Sequence, residues 1–220
     1  MSTSVSGSLG VVAWTCFASA VAFAALDWIA VATSRRSLEY VCKPGAALGF
    51  LATAIALHPV HADTRVWFCV ALAWCTAGDV LLMLPRDAFV AGLASFLVAQ
   101  LCFATGFALH VQRRDLAVGI ALVVVIVVPL AGRFVRALRA RGERALVPPV
   151  LVYVGAIAVM AATAIGTGIW LAMGGAGLFV VSDALIGETR FVRPRPWGPL
   201  AVIVTYHAAL ALLVASLTAT

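Results

Sequence analysis

The chain alternates between long apolar blocks and short polar gaps. Eight blocks are discernible: Leu9 to Ala32, Pro44 to Pro59, Val66 to Leu84, Ala88 to Val111, Leu116 to Gly132, Val147 to Gly166, Gly168 to Gly187, and Trp197 to Thr218. Crossing a bilayer as a helix takes about 20 mainly apolar residues, which these blocks approach or exceed. In lipid every backbone donor and acceptor must be satisfied internally, so a run without apolar–polar alternation predicts a helix and not a barrel strand. The expected fold is therefore all-α: one polytopic bundle of eight transmembrane helices over residues 1–220, with no soluble domain or long linker. From Val147 to Gly187 the apolar stretch is about twice the membrane thickness, and Gly166-Thr167-Gly168 is the place where it must fold back. Prolines at 44, 59, 85, 129, 148, 149, 194, 196 and 199 mostly fall at block ends, where a missing N–H costs little.

Composition agrees with this pattern. Hydrophobic residues make up 64% of the chain and charged residues only 11%, less than half the roughly 25% of a soluble domain. The net charge of +6 comes almost entirely from arginine. Twelve of the fifteen Lys and Arg, Arg86 among them, lie in the gaps after blocks one, three, five and seven, against Arg65, Arg113 and Arg114 on the other side. Such asymmetry predicts that the basic side is cytoplasmic and both termini are non-cytoplasmic. The arginines then read as topology anchors that meet lipid headgroups, and nucleic acid is not an expected partner. The segment 133–144, with five arginines, is the densest of these anchors. The first block lacks a basic n-region, and its apolar run passes the weak Ala18-Ser19-Ala20 cleavage pattern, so it is taken as a span. Five cysteines form no CxxC pair and read as small core residues.

An ionisable group inside a span costs roughly 2.5–3.5 kcal/mol on insertion scales and calls for a reason. Asp27, Asp79, Asp183 and His207 are such groups, with Gln100, Ser182 and Tyr206 as polar company and Lys43 opening the second block. All but Gln100 fall in the basic-side half of their blocks, the pattern of a cavity open to one side. Asp27, beside Trp28 near a block end, can instead sit at the headgroup interface, and Gln100 can simply bond one helix to another. The run Gly92-Ser95-Phe96-Ala99-Phe103 places small residues on one helix face, as close helix packing requires. His58 and His61 form an HxxH on the opposite side, where no metal is expected. Gly78-Asp79-Val80-Leu81-Leu82 and Ser182-Asp183-Ala184-Leu185-Ile186 share one form in blocks of like orientation, as a duplicated four-span unit would give.

Together these residues carry a resemblance. Lys43-Pro44, Ala77-Gly78-Asp79-Val80-Leu81-Leu82, Phe89-x-x-Gly92-Leu93-x-x-Phe96-x-x-Ala99, Phe179-x-x-Ser182-Asp183-x-Leu185 and Tyr206-His207-x-Ala209, in this order, resemble the lysoplasmalogenases, or YhhN-like membrane proteins. Gln100 and Leu210 depart from that pattern, Leu210 standing where a polar residue is frequent. The resemblance implies hydrolysis of the vinyl ether bond of a lysoplasmalogen to a fatty aldehyde and a glycerophospho-amine. It implies a lysophospholipid substrate and membrane lipids as partners, no cofactor, and a place in the cell membrane. Vinyl ethers hydrolyse by protonation at the β-carbon, which needs a general acid and a second carboxylate. Asp79 and Asp183 are the expected catalytic pair, either one as the acid; His207 and Tyr206 orient water or the glycerol oxygen, and Lys43 meets the phosphate. Two rival readings remain. An intramembrane aspartyl protease needs GxGD, and Thr76-Ala77-Gly78-Asp79 lacks the first glycine. A small transporter or lipid-binding protein would use the aspartates as proton or cation relays. The oligomeric state is not legible.

Overall fold

In the computed structural model, residues 3–59, 61–84 and 88–219 are described. Pro85 and Arg86 lie outside them. Eight α-helices follow one another: α1 Thr3–Ala32, α2 Arg36–Ala56, α3 Ala62–Met83, α4 Phe89–Ala108, α5 Arg113–Ala140, α6 Val147–Gly166, α7 Trp170–Gly187 and α8 Gly198–Ser216. A 3₁₀ turn at Arg144–Leu146 precedes α6, and a π-helical turn at Glu188–Val192 extends α7. No strand occurs among the described residues. Seven of the helices are long and apolar enough to cross a membrane, and the chain is a multi-pass membrane protein. The remaining helix, α2, carries Arg36, Glu39 and Lys43 in its first turns.

Two helices, α2 and α5, run furthest beyond their apolar blocks. α2 begins at Arg36, well before Pro44, which therefore lies inside the helix and not at its start. Its ring leaves the carbonyl of Tyr40 without an intrahelical donor, at a point where Tyr40 lines a polar cleft. α5 continues past Gly132 to Ala140, and Pro129 lies inside it. The extension is amphipathic: Phe134 and Leu138 are buried while the arginines face out. Between α6 and α7 the chain reverses as the glycines require, with Gly168 at φ +71° in the left-handed region.

Consecutive helices pair as hairpins, α1 with α2, α3 with α4, α5 with α6 and α7 with α8. Small residues let these pairs approach. On α4, Ser95 donates to the Trp74 carbonyl of α3 at 2.8 Å, and a Cβ on Gly78 would meet the Phe96 ring at 2.6 Å. The closest approach to a neighbouring helix's backbone is between α5 and α6. A Cβ on Gly119 would lie 2.6 Å from the Ala162 carbonyl oxygen, a backbone atom that cannot rotate away. Gly119→Ala is expected to force the hairpin apart and lower stability by about 1–3 kcal/mol, read as a drop in the thermal midpoint in detergent. Gly155→Ala, which meets nothing within 4 Å, is the control and should leave the midpoint unchanged or raise it.

Outward faces suit lipid. α5 exposes Val118, Ile120, Leu122, Val124, Val125, Ile126 and Val128. Exposed Trp14 and Trp170 stand near one end of the bundle and Tyr40 and Trp197 near the other, the aromatic belts of a membrane protein. All five cysteines are free, with Cys42, Cys75 and Cys102 buried.

Candidate functional site

Two carboxyl–phenol pairs sit inside the bundle. On α3, Asp79 is 1% exposed, and its Oδ2 accepts a hydrogen bond from the Tyr206 hydroxyl of α8 at 2.8 Å. Its Oδ1 is 3.6 Å from Lys43 Nζ of α2, an ion-pair contact that leaves this oxygen without a hydrogen bond. On α7, Asp183 accepts from the Tyr153 hydroxyl of α6 at 2.6 Å. No cation pairs with Asp183 among the described residues. Each carboxyl thus faces a phenol, but only Asp79 also faces an ammonium. The buried Cys75 thiol lies within electrostatic reach of both carboxyls. The Tyr206 ring is wedged edge-on between Phe96 and Phe179, at 5.8 and 5.6 Å, which fixes the direction of its hydroxyl.

Next to the first pair lies a second polar group. The Trp28 indole N–H of α1 donates to His207 Nδ1 at 3.1 Å. An indole nitrogen only donates, so this bond assigns His207 the tautomer with its proton on Nε2. That N–H is buried and has no protein partner. Asp27 is fully buried with both oxygens unpartnered, within electrostatic reach of Lys43 and Asp79. Its carboxyl therefore faces the bundle interior and not the lipid headgroups. Buried polar groups normally find partners, and Asp27, Asp79 Oδ1 and His207 Nε2 are suited to meet water or a hydroxylated ligand.

Two clefts flank the site, one reaching Lys43 and the other Asp183. A polar one of about 320 Å³ is lined by Arg36, Glu39, Tyr40, Lys43 and residues 82–84. An apolar one of about 70 Å³ runs among α3 to α7 and contains Asp183 and Tyr153, with Phe89, Phe134 and Phe191 in its walls. Leu82 lines both. Next to Gly187, which lines the apolar cleft, Glu188 accepts from both Arg133 Nε and Nη2 at 2.9 Å and from Arg195 Nη2 at 3.1 Å. Arg141 adds hydrogen bonds to the Arg190 and Phe191 carbonyls. Arg133 and Arg141 are thus also structural clamps on the π-helical turn that carries Phe191.

Of the residues singled out from the sequence, Lys43, Asp79 and Tyr206 come together, His207 and Asp27 lie beside them, and Asp183 stands in the adjoining cleft. Ser182 does not join them: its hydroxyl donates to the Val202 carbonyl at 3.0 Å and braces α7 on α8. Gln100 is fully buried on α4, its amide beside the Tyr153 hydroxyl without a well-formed hydrogen bond. Tyr153, Trp28 and Arg36 were missed. Tyr153 sits in an unbroken apolar run, and only its place on the helix preceding Asp183 reveals it.

A multi-pass helical membrane protein with two buried carboxyl–phenol contacts, one joined through Lys43 to a polar cleft and the other lining an apolar cleft, is the class defined by this geometry. The sequence model of the YhhN family matches residues 38–217, and the chain belongs to that family. It is similar to proteins named lysoplasmalogenase from Mycobacterium bovis and Mycobacterium tuberculosis, each 36% identical over 166 residues, 73% of this chain. The match spans 62% of the length of those relatives. No solved structure matches the chain.

Proposed function

We propose that this protein is a membrane-embedded hydrolase of the cell membrane that opens the vinyl ether bond of a lysoplasmalogen. One observation carries the reading: a polar cleft with cations and an apolar cleft with a carboxyl share Leu82, as a ligand with a charged head and a hydrocarbon tail requires. The names of the mycobacterial relatives support the same substrate class.

Arg36 and Lys43 meet the phosphate, and Glu39 meets the amine of the headgroup. The vinyl ether lies past Leu82, with the first carbons of the chain in the apolar cleft and the rest along lipid. In the rate-limiting step the alkenyl β-carbon, the chain-side carbon, takes a proton. Asp183 is the acid, since it lines the chain cleft and has no cation beside it. The C=C electron pair forms the new C–H bond, leaving an oxocarbenium ion. The Asp79 carboxylate, held by Lys43 and Tyr206, stabilises that cation and takes a proton from the water that attacks it. The hemiacetal hydroxyl then gives up its proton as the C=O forms and the bond to the glycerol oxygen breaks; that oxygen takes up the proton and leaves as the alcohol, releasing fatty aldehyde. Return of a proton from Asp79 to Asp183 resets the pair. His207 Nε2–H donates to the attacking water or the glycerol oxygen.

Mass spectrometry of purified protein incubated with a lysoplasmalogen and, in parallel, with a matched ester lysolipid tests this. Aldehyde from the vinyl ether alone is expected; none from well-folded protein would overturn the reading. Arg36→Gln removes one charge-assisted contact, worth about 1.5–3 kcal/mol. It is expected to raise KM about tenfold or more with kcat little changed, because phosphate binding is the same in ground and transition states.

A further inference from the structure

At the end of the bundle opposite Lys43, three side chains from two separate segments converge. His61 caps the start of α3, Asp63 lies in its first turn, and His110 follows the end of α4. The two imidazoles stack at 3.7 Å between centroids, 25° from parallel. His110 Nε2 is 3.4 Å from Asp63 Oδ1, and one ligand atom from each residue lies within 4.8 Å of the others. His58, the other half of the HxxH spacing, is exposed and outside this group.

We propose that His61, Asp63 and His110 form a binding site for a divalent transition metal, zinc above all, that clasps α3 to α4. A hydrogen bond between His110 and Asp63 accounts for those two residues but not for the His61 ring laid against His110. The two stacked rings bring imidazole nitrogens alongside a carboxylate. Two imidazoles and one carboxylate suit zinc and its neighbours and not magnesium or calcium. With bonds of about 2.0–2.1 Å, tetrahedral zinc needs ligand atoms about 3.3 Å apart, close to the His110–Asp63 separation. The rings must open from their stack to about 5 Å between centroids to share one ion. Both are only partly buried and Asp63 is exposed, so side-chain rotation suffices. The Thr64 N–H, donating to Asp63 Oδ1 at 2.8 Å, orients the carboxylate as an outer-shell partner does.

The test is zinc titration of tag-free protein in detergent, by calorimetry and by metal analysis after dialysis, with the thermal midpoint followed in parallel. One zinc per chain and a raised midpoint are expected. His61→Ala and His110→Ala should each weaken binding at least about tenfold, and His58→Ala should not. Cobalt should give tetrahedral d–d bands without a thiolate charge-transfer band. The metal-free midpoints of the three variants report on folding, so a misfolded variant is recognised and replaced by His61→Gln or His110→Gln. Failure to bind zinc, binding that survives both substitutions, or a thiolate band would overturn the site.

Discussion

Asp183→Asn will fold and bind lipid but release fatty aldehyde about 10²–10⁴-fold more slowly, the contribution of a positioned general acid. The amide is nearly isosteric and can still accept from Tyr153, which donates to Asp183 at 2.6 Å, so the thermal midpoint should move little. What it cannot do is give up a proton to carbon. Turnover in D₂O tests the same step independently. If protonation of the alkenyl β-carbon limits the rate, the wild-type protein slows in D₂O and the aldehyde carries one deuterium on the carbon next to its carbonyl. Full activity in Asp183→Asn, or aldehyde without that deuterium, would remove Asp183 from the role of acid.

Most of the bundle was legible because lipid leaves the backbone so few choices. Uninterrupted apolar blocks become helices, and the two glycines around Thr167 had to mark a reversal. The ends were less legible. α2 and α5 extend beyond their apolar blocks because amphipathic turns such as those holding Phe134 and Leu138 stay helical once they leave the tails. Charged residues inside apolar blocks stood out by what they cost, hence Asp79 and Asp183, and Lys43 by its place at the edge of the second block. Tyr153 did not, since a phenol is ordinary in a membrane helix and becomes informative only when Asp183 is seen opposite it. The same holds for Trp28, whose bond to His207 joins the first helix to the last. Likewise His61 finds its partner in His110 and not in His58, because neighbours across a hairpin are invisible in local spacing. The orientation of the basic side rests on charge distribution alone, and reporter fusions to the chain ends would read it directly.

Lys43 and Asp79 should behave as one unit. Lys43 Nζ stands 3.6 Å from Asp79 Oδ1 and is mostly buried. Removing one member of such a pair is strongly destabilising, about 3–5 kcal/mol, because the other is left charged in a poor solvent. Lys43→Met is therefore expected to lower the thermal midpoint markedly, and to abolish turnover, since the carboxylate then has only the Tyr206 hydroxyl to hold it. Asp79→Asn should also abolish turnover, because an amide neither takes a proton from water nor stabilises an oxocarbenium ion. The double substitution separates the two consequences. With no unpaired carboxylate left, its midpoint should recover well above that of Lys43→Met alone, while aldehyde release stays absent. A coupling of that sign is what contact between two charges produces. If the two losses of stability simply add, the pair is not an energetic unit. If Lys43→Met keeps full turnover, Asp79 does not depend on the ammonium and its assigned role in stabilising the cation falls with it.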